Sequence, residues 1–506
     1  MFVRQKKNKS GTVSIQIIDK SSGKYKVRKT IGSSSDSSKI RELIFLAESY
    51  ILNYKGQQSL DLSYPKDDEF YNRVYASIER IQLLGPELVL GKIYDQIGFN
   101  QIEDDLFRHL VITRLIYPSS KLKTIDYLQK YMGLSYDKDK IYRYLDKLHA
   151  QQIVKVQNIS YEHTLRVIGH NLSVVFYDVT TLYFEAEDED DLRKMGFSKD
   201  GKHKNPQIVL GLLVSFEGYP LDYEIFQGNK FEGHTMLPVI DSFKKRYDLK
   251  QLIVVADAGM MSNKNLEELI AKNYKFIIGA RIKNEVEDIK QRILELRLDD
   301  LESVSIQKQD GLRLIVSYSD SRAKKDKHNR DKGLKKLEKS VESGKLSKKH
   351  INNRGYNKYL KLIGEIEITI DYKKFEQDAA WDGLKGYITN SDITKELVID
   401  HYKQLWNVEK TFRISKTDLR IRPIFHYRQR RIEAHICIAF TACKIYKELE
   451  RQLKNMSSEL SPEKVINILK TIFGITLILP ESKNRKMMLL DKTHEQKEIL
   501  QMFNIR

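Results

Sequence analysis

At 506 residues, 41% of them hydrophobic and 10% aromatic, the chain is long enough for two to four domains with at least one large core, and too apolar to be a disordered polyelectrolyte. Its 87 Lys and Arg against 69 Asp and Glu leave a formal charge of +18, which points to a polyanionic partner, nucleic acid ahead of an anionic membrane surface. Only two cysteines, Cys437 and Cys443, argue against a disulfide framework. With no signal-peptide pattern in MFVRQKKNKS and no apolar run near the ~20 residues that span a bilayer, a cytoplasmic location without membrane contact is expected.

Residues 12–19 and 24–30 alternate in polarity around Lys20-Ser21-Ser22-Gly23 and predict a β-hairpin, a small accessory unit over 1–34. From 35 to 170 the pattern is helical, broken at Tyr64-Pro65, Gly85-Pro86 and Tyr117-Pro118. Three short helices over 104–116, 119–132 and 137–149 suit either a helix-turn-helix DNA reader, with Lys138, Lys140, Tyr142 and Arg143 facing DNA, or a plain helical bundle.

At Ser173 the texture changes. SVVFYDVTTLYF is a strand carrying Asp178; QIVLGLLVSF and LDYEIFQG follow as strands joined at Glu217-Gly218-Tyr219-Pro220. A helix capped by Thr235, a strand QLIVVADAG ending at Asp257, a helix over 263–272 and a strand over 274–280 complete an α/β succession, hairpin strands first and parallel strands after, assigned to 171–281. Residues 282–385 interrupt it as an insertion domain: a helix over 284–297, a hairpin at Asp310-Gly311, a basic stretch 322–361 and a strand over 363–370. The basic stretch holds 15 Lys and Arg against 4 Asp and Glu, so it supplies most of the net charge and reads either as DNA-backbone contact or as a solvated loop.

The core resumes over 386–455 with the strand GYITN and a helix predicted without interruption over 395–416 (KELVIDHYKQLWNVEKTFRISK), followed by an apolar helix over 431–450 and a tail, 456–506. At 100° per residue Tyr402, Trp406, Glu409, Arg413 and Lys416 share one face of that helix. Taken alone, Glu409 and Arg413 also fit an ordinary (i, i+4) ion pair, Trp406 fits core packing, and Asp178 and Asp257 fit strand-end or turn-capping roles. Taken together, Asp178, Asp257 and Glu409 form an all-oxygen donor set of the kind that holds hard divalent cations, two of which can drive in-line displacement at phosphorus.

This order of carboxylates resembles the ribonuclease-H-like core of the DDE transposases of bacterial insertion sequences. One branch carries Y-x-x-R-W-x-x-E-x-x-F-x-x-x-K; here Tyr402, Trp406, Glu409, Phe412 and Lys416 stand in those places, with Leu405 where the branch has Arg. GFSKDGKHKNPQIVLGL, Gly228-Asn229, VVADAGM, WDGLKGYITN and LRIRPIFHYRQRRIEAHI resemble the same branch. The resemblance implies a core interrupted by a β-rich insertion and cut-and-paste transposition with cleavage and strand transfer at transposon ends. It also implies catalysis and metal binding by Asp178, Asp257 and Glu409 with two Mg²⁺ or Mn²⁺ ions. Tyr402, Trp406, Arg413 and Lys416 would contact DNA, and a homodimer would form the synaptic complex of a nucleoid-associated bacterial protein. Two alternatives are a non-catalytic DNA-binding protein derived from a transposase and a free-standing nuclease of the same core. His203, His234, His426 and His435 have no assigned role.

Overall fold

Polarity alternating along the first residues builds an antiparallel sheet of β1 (Phe2–Lys7), β2 (Val13–Asp19) and β3 (Lys26–Ser34), with β2 in the middle. Helix α1 (Ser37–Tyr54) covers it, Ala47 and Ile51 packing on Ile15 and Ile17. The expected hairpin thus gains a third strand, FVRQKK, whose exposed cations suit a sheet edge. In this computed structural model the chain is described except for residues 55–64, 171, 199, 200, 203, 250, 251, 261, 345, 353, 354, 364–366, 480, 481, 491 and 506. It forms two units, 1–79 with 477–486, and 80–476 with 487–506. The boundary expected at residue 34 is therefore displaced, because α1 is needed to cover the sheet.

In the second unit the three predicted helices appear as α2 (Asp105–Ile116), α3 (Lys121–Met132) and α4 (Lys138–Lys147), their first turns capped by Asp104, Ser120 and Asp137, and α5 (Ile153–Val167) follows. They share one core with the sheet and the last long helix, so 35–170 is not a separate domain. The strands and helices of 171–281 are β4 (Val174–Tyr183), β5 (Gln207–Ser215), β6 (Pro220–Gln227), α6 (Met236–Tyr247), β7 (Ile253–Ala256), α7 (Asn263–Ala271) and β8 (Lys275–Ala280). They lie in the order β6-β5-β4-β7-β8. The β4–β5 and β5–β6 pairs are antiparallel and the β4–β7 and β7–β8 pairs parallel, a mixed α/β sheet consistent with a ribonuclease-H-like fold.

The next segment contains α8 (Glu287–Glu295), the hairpin β9 (Ser303–Gln307) and β10 (Arg313–Tyr318), α9 (Asp320–Glu342), a ribbon of β11 (Leu360–Ile363) and β12 (Glu367–Ile370), and β13 (Leu384–Thr389). Strands β13, β10 and β9 continue the sheet beyond β8, giving eight strands. Residues 282–385 are thus only partly an insertion standing apart. Leu314, Ile315 and Val316 are all fully buried, and a strand without polar alternation needs both its faces covered. Only α9, β11 and β12 gather their own small core, around Leu337, Tyr359, Leu360 and Ile370.

The helix predicted over 395–416 is two helices, α10 (Lys395–Lys403) and α11 (Trp406–Arg413), with a further turn to Asp418. Between them Leu405 N–H bonds to the Tyr402 carbonyl and Val408 N–H to that of Leu405, a three-residue turn. Such a turn stacks residues three apart, and Tyr402, Leu405 and Val408 all enter the core. The chain then runs to the long helix α12 (Gln429–Asn455), most of it buried.

Candidate active site

Successive residues of β4 alternate between the sheet's two cores. Val174, Phe176 and Leu182 belong to the core shared with α11 and α12, whereas Val175, Tyr177 and Val179 belong to the one covered by α6. By that period of two, Asp178 lies on the face that α11 packs across. In β7, Val255 faces the α11 side and Val254 and Ala256 the other, so Asp257, the next residue, falls on the same face as Asp178. The strands are parallel and in register, with Tyr177 opposite Ala256. Continuing that register one residue past β7 brings Asp257 alongside Asp178, at the end of β7 and midway along β4, where adjacent strands lie about 4.8 Å apart.

Each aspartate is oriented by a backbone donor. Val179 N–H donates to Asp178 Oδ1 at 2.8 Å, and Gly259 N–H donates to Asp257 Oδ1. Asp178 is half-buried and Asp257 exposed. Helix α11 is held across this face by Val408 and Phe412 in the core and, beside the start of β4, by two bonds to the β5–β6 turn, Asn407 Nδ2 to Phe216 O at 2.9 Å and Thr411 Oγ1 to Gly218 O at 3.3 Å. Glu409 is exposed on the outer side of the helix.

Tyr402 links the parts. It is buried, its ring edge-on to Tyr387 at 4.9 Å between centroids, and its hydroxyl reaches Gly279 beside the Ala258 backbone, where a Cβ at 279 has no room. Burial pushes this hydroxyl up, and the charges of Asp257 and Glu409 push it further, so both carboxylates bear on the same phenol. Lys385 Nζ lies 4.4 Å from the Tyr402 ring centre; burial lowers its pKa, Arg322 lowers it further and Glu409 opposes. A cavity of about 800 Å³ opens here between the sheet end at Ala258 and Gly279 and helix α9, with Arg281, Arg322 and Lys385 on its walls.

The residues expected on a single helical face are therefore divided. Trp406 and Arg413 are exposed, Lys416 is half-buried and Tyr402 is inside the core, because the turn at Gln404 and Leu405 rotates α11 relative to α10. Lys410 Nζ lies 5.6 Å from the Trp406 ring centre and pairs with Glu450. Among the described residues no three His, Cys, Asp or Glu side chains come close enough together to hold one ion. Mg²⁺ is commonly held by one or two carboxylates, water and substrate phosphate completing its shell, so an oriented aspartate pair on adjacent strands is a fitting donor set.

Lys385 and Arg322 do not stand out from the sequence. The available signal is a lysine next to the buried run GYITN, the same kind of signal that marks Asp178. Of the histidines, His203 lies outside the described residues, His234 is exposed against Phe231, and His426 and His435 are buried away from the carboxylates.

Residues 169–443, more than half of the 506, match the family model described as Transposase DDE domain. The chain belongs to the transposase DDE domain family. The matched segment of this DDE domain holds both aspartates, Glu409 and the hairpin β9–β10. Among solved structures, the chain is similar to a piggyBac transposase in a cryo-EM synaptic complex with hairpin DNA. The match has a TM-score of 0.39 and 10% identity, and covers 77% of this chain and 79% of the other. No curated protein matches the sequence.

Proposed function

We propose that this chain is a DNA transposase that cleaves and rejoins phosphodiester bonds at the ends of an insertion sequence, with Asp178, Asp257 and Glu409 as its metal-holding and catalytic residues. The observation that carries this reading is the placement of Asp178 and Asp257 side by side on the face covered by α11, inside a segment that matches the transposase DDE domain. Two Mg²⁺ or Mn²⁺ ions, when bound, would activate the attacking oxygen and stabilise the leaving oxygen of an in-line displacement.

The chain's own residues prepare that site. The Val179 and Gly259 amides hold one oxygen of each aspartate in place. Lys385 and Arg322 offer positive charge to a phosphate entering the cavity, and exposed Arg413 extends it. The exposed ring of Trp406 suits stacking on an unpaired base. Tyr402, buried and neutral, supports the site from behind instead of touching DNA.

Helix α9 suits binding to the DNA backbone, since Lys324, Lys325 and Lys327 are all exposed on it. Replacing these three by Gln is expected to lower the slope of log affinity against log salt by about 1 for each phosphate the helix no longer neutralises. An unchanged slope in a salt titration would mean that the helix touches no phosphate.

The reading is tested by incubating the protein with DNA flanking its own gene. Strand cleavage confined to inverted repeats, requiring Mg²⁺ or Mn²⁺ and stopped by chelation, is the expected result. Binding without cleavage would favour a DNA-binding protein that has kept the fold, and cleavage without end specificity a nuclease.

A further inference from the structure

A second cavity, of about 610 Å³, lies away from the carboxylates, between the first turn of α3 and the loop leading into α12. Its walls include Arg114, which is 5% exposed, and Lys121, which is 6% exposed. Among the described residues neither has an acidic partner, and Arg114 donates only a long hydrogen bond, 3.5 Å to the Leu419 carbonyl. Buried cations left this way are costly unless an anion joins them. Burial pushes Arg114 down to about 10 and lowers Lys121, on which Arg114 also acts.

His426 and His435 line the same cavity, 5.6 Å apart between ring centres. Burial lowers both, and Lys121 and Arg114 lower both further, joined by Arg431 at His426 and by His426 at His435. His435 Nε2 donates to the Ile421 carbonyl at 2.9 Å, leaving Nδ1 a buried acceptor with no partner among the described residues. At the mouth, Arg420 holds a φ of +45°, a backbone conformation that side-chain-bearing residues avoid, and Phe425 is 59% exposed.

We propose that this pocket binds a phosphate group of a DNA strand, with Arg114 and Lys121 as its buried cations and Phe425 placed to stack on a neighbouring base. The naming of DNA as the source of the phosphate rests on the proposed function; the demand for an anion rests on the pocket alone. The pocket's loop is tied to the sheet, Ile424 N–H donating to the Tyr183 carbonyl at 3.2 Å at the end of β4. Tyr183 is five positions beyond Asp178, so roughly 17 Å of strand lies between Asp178 and the point where the pocket's loop is tied, a length comparable to some five steps of duplex at about 3.4 Å each. The pocket thus grips the same DNA several steps from the reacting bond.

The test is made on the full chain with duplex DNA from the flanks of its own gene, and separately with inorganic phosphate. Lys121→Met is expected to weaken DNA binding about 10- to 100-fold, the worth of one charged hydrogen bond, and to reduce the salt slope by about 1. The thermal midpoint of the DNA-free variant should hold or rise, because an uncompensated buried charge has gone; a purely structural lysine would give a fall. Arg420→Glu, at an exposed position, should weaken DNA binding without touching the core and guards against misfolding of the first variant. DNA affinity unchanged in both variants overturns the proposal, including where inorganic phosphate raises the midpoint of the wild type only, which would make the pocket a site for free phosphate. Cleavage is followed in parallel: a wild type that cleaves, with variants that bind DNA equally well, overturns the pocket alone, whereas a wild type that binds no DNA overturns both readings.

Discussion

Asp178→Asn is expected to lower strand cleavage by at least about 10³-fold, with Asp257→Asn and Glu409→Gln doing the same, while affinity for the DNA ends holds or rises. The size separates roles: losing a residue that only supports a metal ligand costs about 10- to 100-fold. The sign of the binding change follows from charge, since removing an anion beside a phosphate backbone reduces repulsion. Asn and Gln keep the shape and the carbonyl-type acceptor, so the bonds from the Val179 and Gly259 amides persist in the aspartate variants and folding is not at issue. Cleavage assays with gel-shift measurements on the same preparations check it. A variant retaining a tenth of wild-type cleavage would remove that residue from the catalytic set.

The largest expected loss of stability lies elsewhere, under α12. Glu448, 1% exposed, accepts from the Tyr219 hydroxyl at 2.5 Å, from Arg451 at 2.6 and 3.0 Å and from Gln452 at 2.8 Å. One turn away Lys444 is fully buried, donating to the Ser160 carbonyl at 2.9 Å and to Thr164, and its Nζ lies 4.3 Å from the Tyr219 ring centre. Burial lowers the Lys444 pKa and Glu448 counteracts it. Glu448→Ala leaves buried positive charge without its anion, which costs about 3–5 kcal/mol. In a unit of this size that is a thermal midpoint lower by roughly 3–6 °C. A shift under about 2 °C in a melting experiment would show that the network contributes little.

The same carboxyl has a pH signature. Burial opposes it, but hydrogen bonds from Arg451, Tyr219 and Gln452 hold Glu448 below its ordinary 4.5. Its contribution to stability is therefore fully present above that value and lost as pH falls through its lower folded value.

The parts of this fold legible in the sequence are those fixed by local pattern. Asp178 and Asp257 stand out because each interrupts or closes an apolar run, and the succession of strands and helices from Val174 to Ala280 follows the observed elements closely. What the sequence hid depends on partners far along the chain. The hairpin β9–β10 joins the sheet because β13, more than sixty residues on, lies between it and β8. The turn between α10 and α11 depends on Tyr402 reaching Tyr387 and Gly279. Arg114 and Lys121 read as ordinary helix cations until the loop carrying His426, three hundred residues later, closes over them.

The central claim is that Asp178, Asp257 and Glu409 hold divalent metal where β7 ends alongside β4. Anomalous diffraction from crystals of the protein with end DNA and Mn²⁺ measures this directly. Manganese peaks are expected within ligand distance of both aspartates and bridged to a DNA phosphate, with Glu409 on the same ions. Manganese bound elsewhere, or Asp178 and Asp257 both without metal in a DNA-loaded crystal, would contradict it.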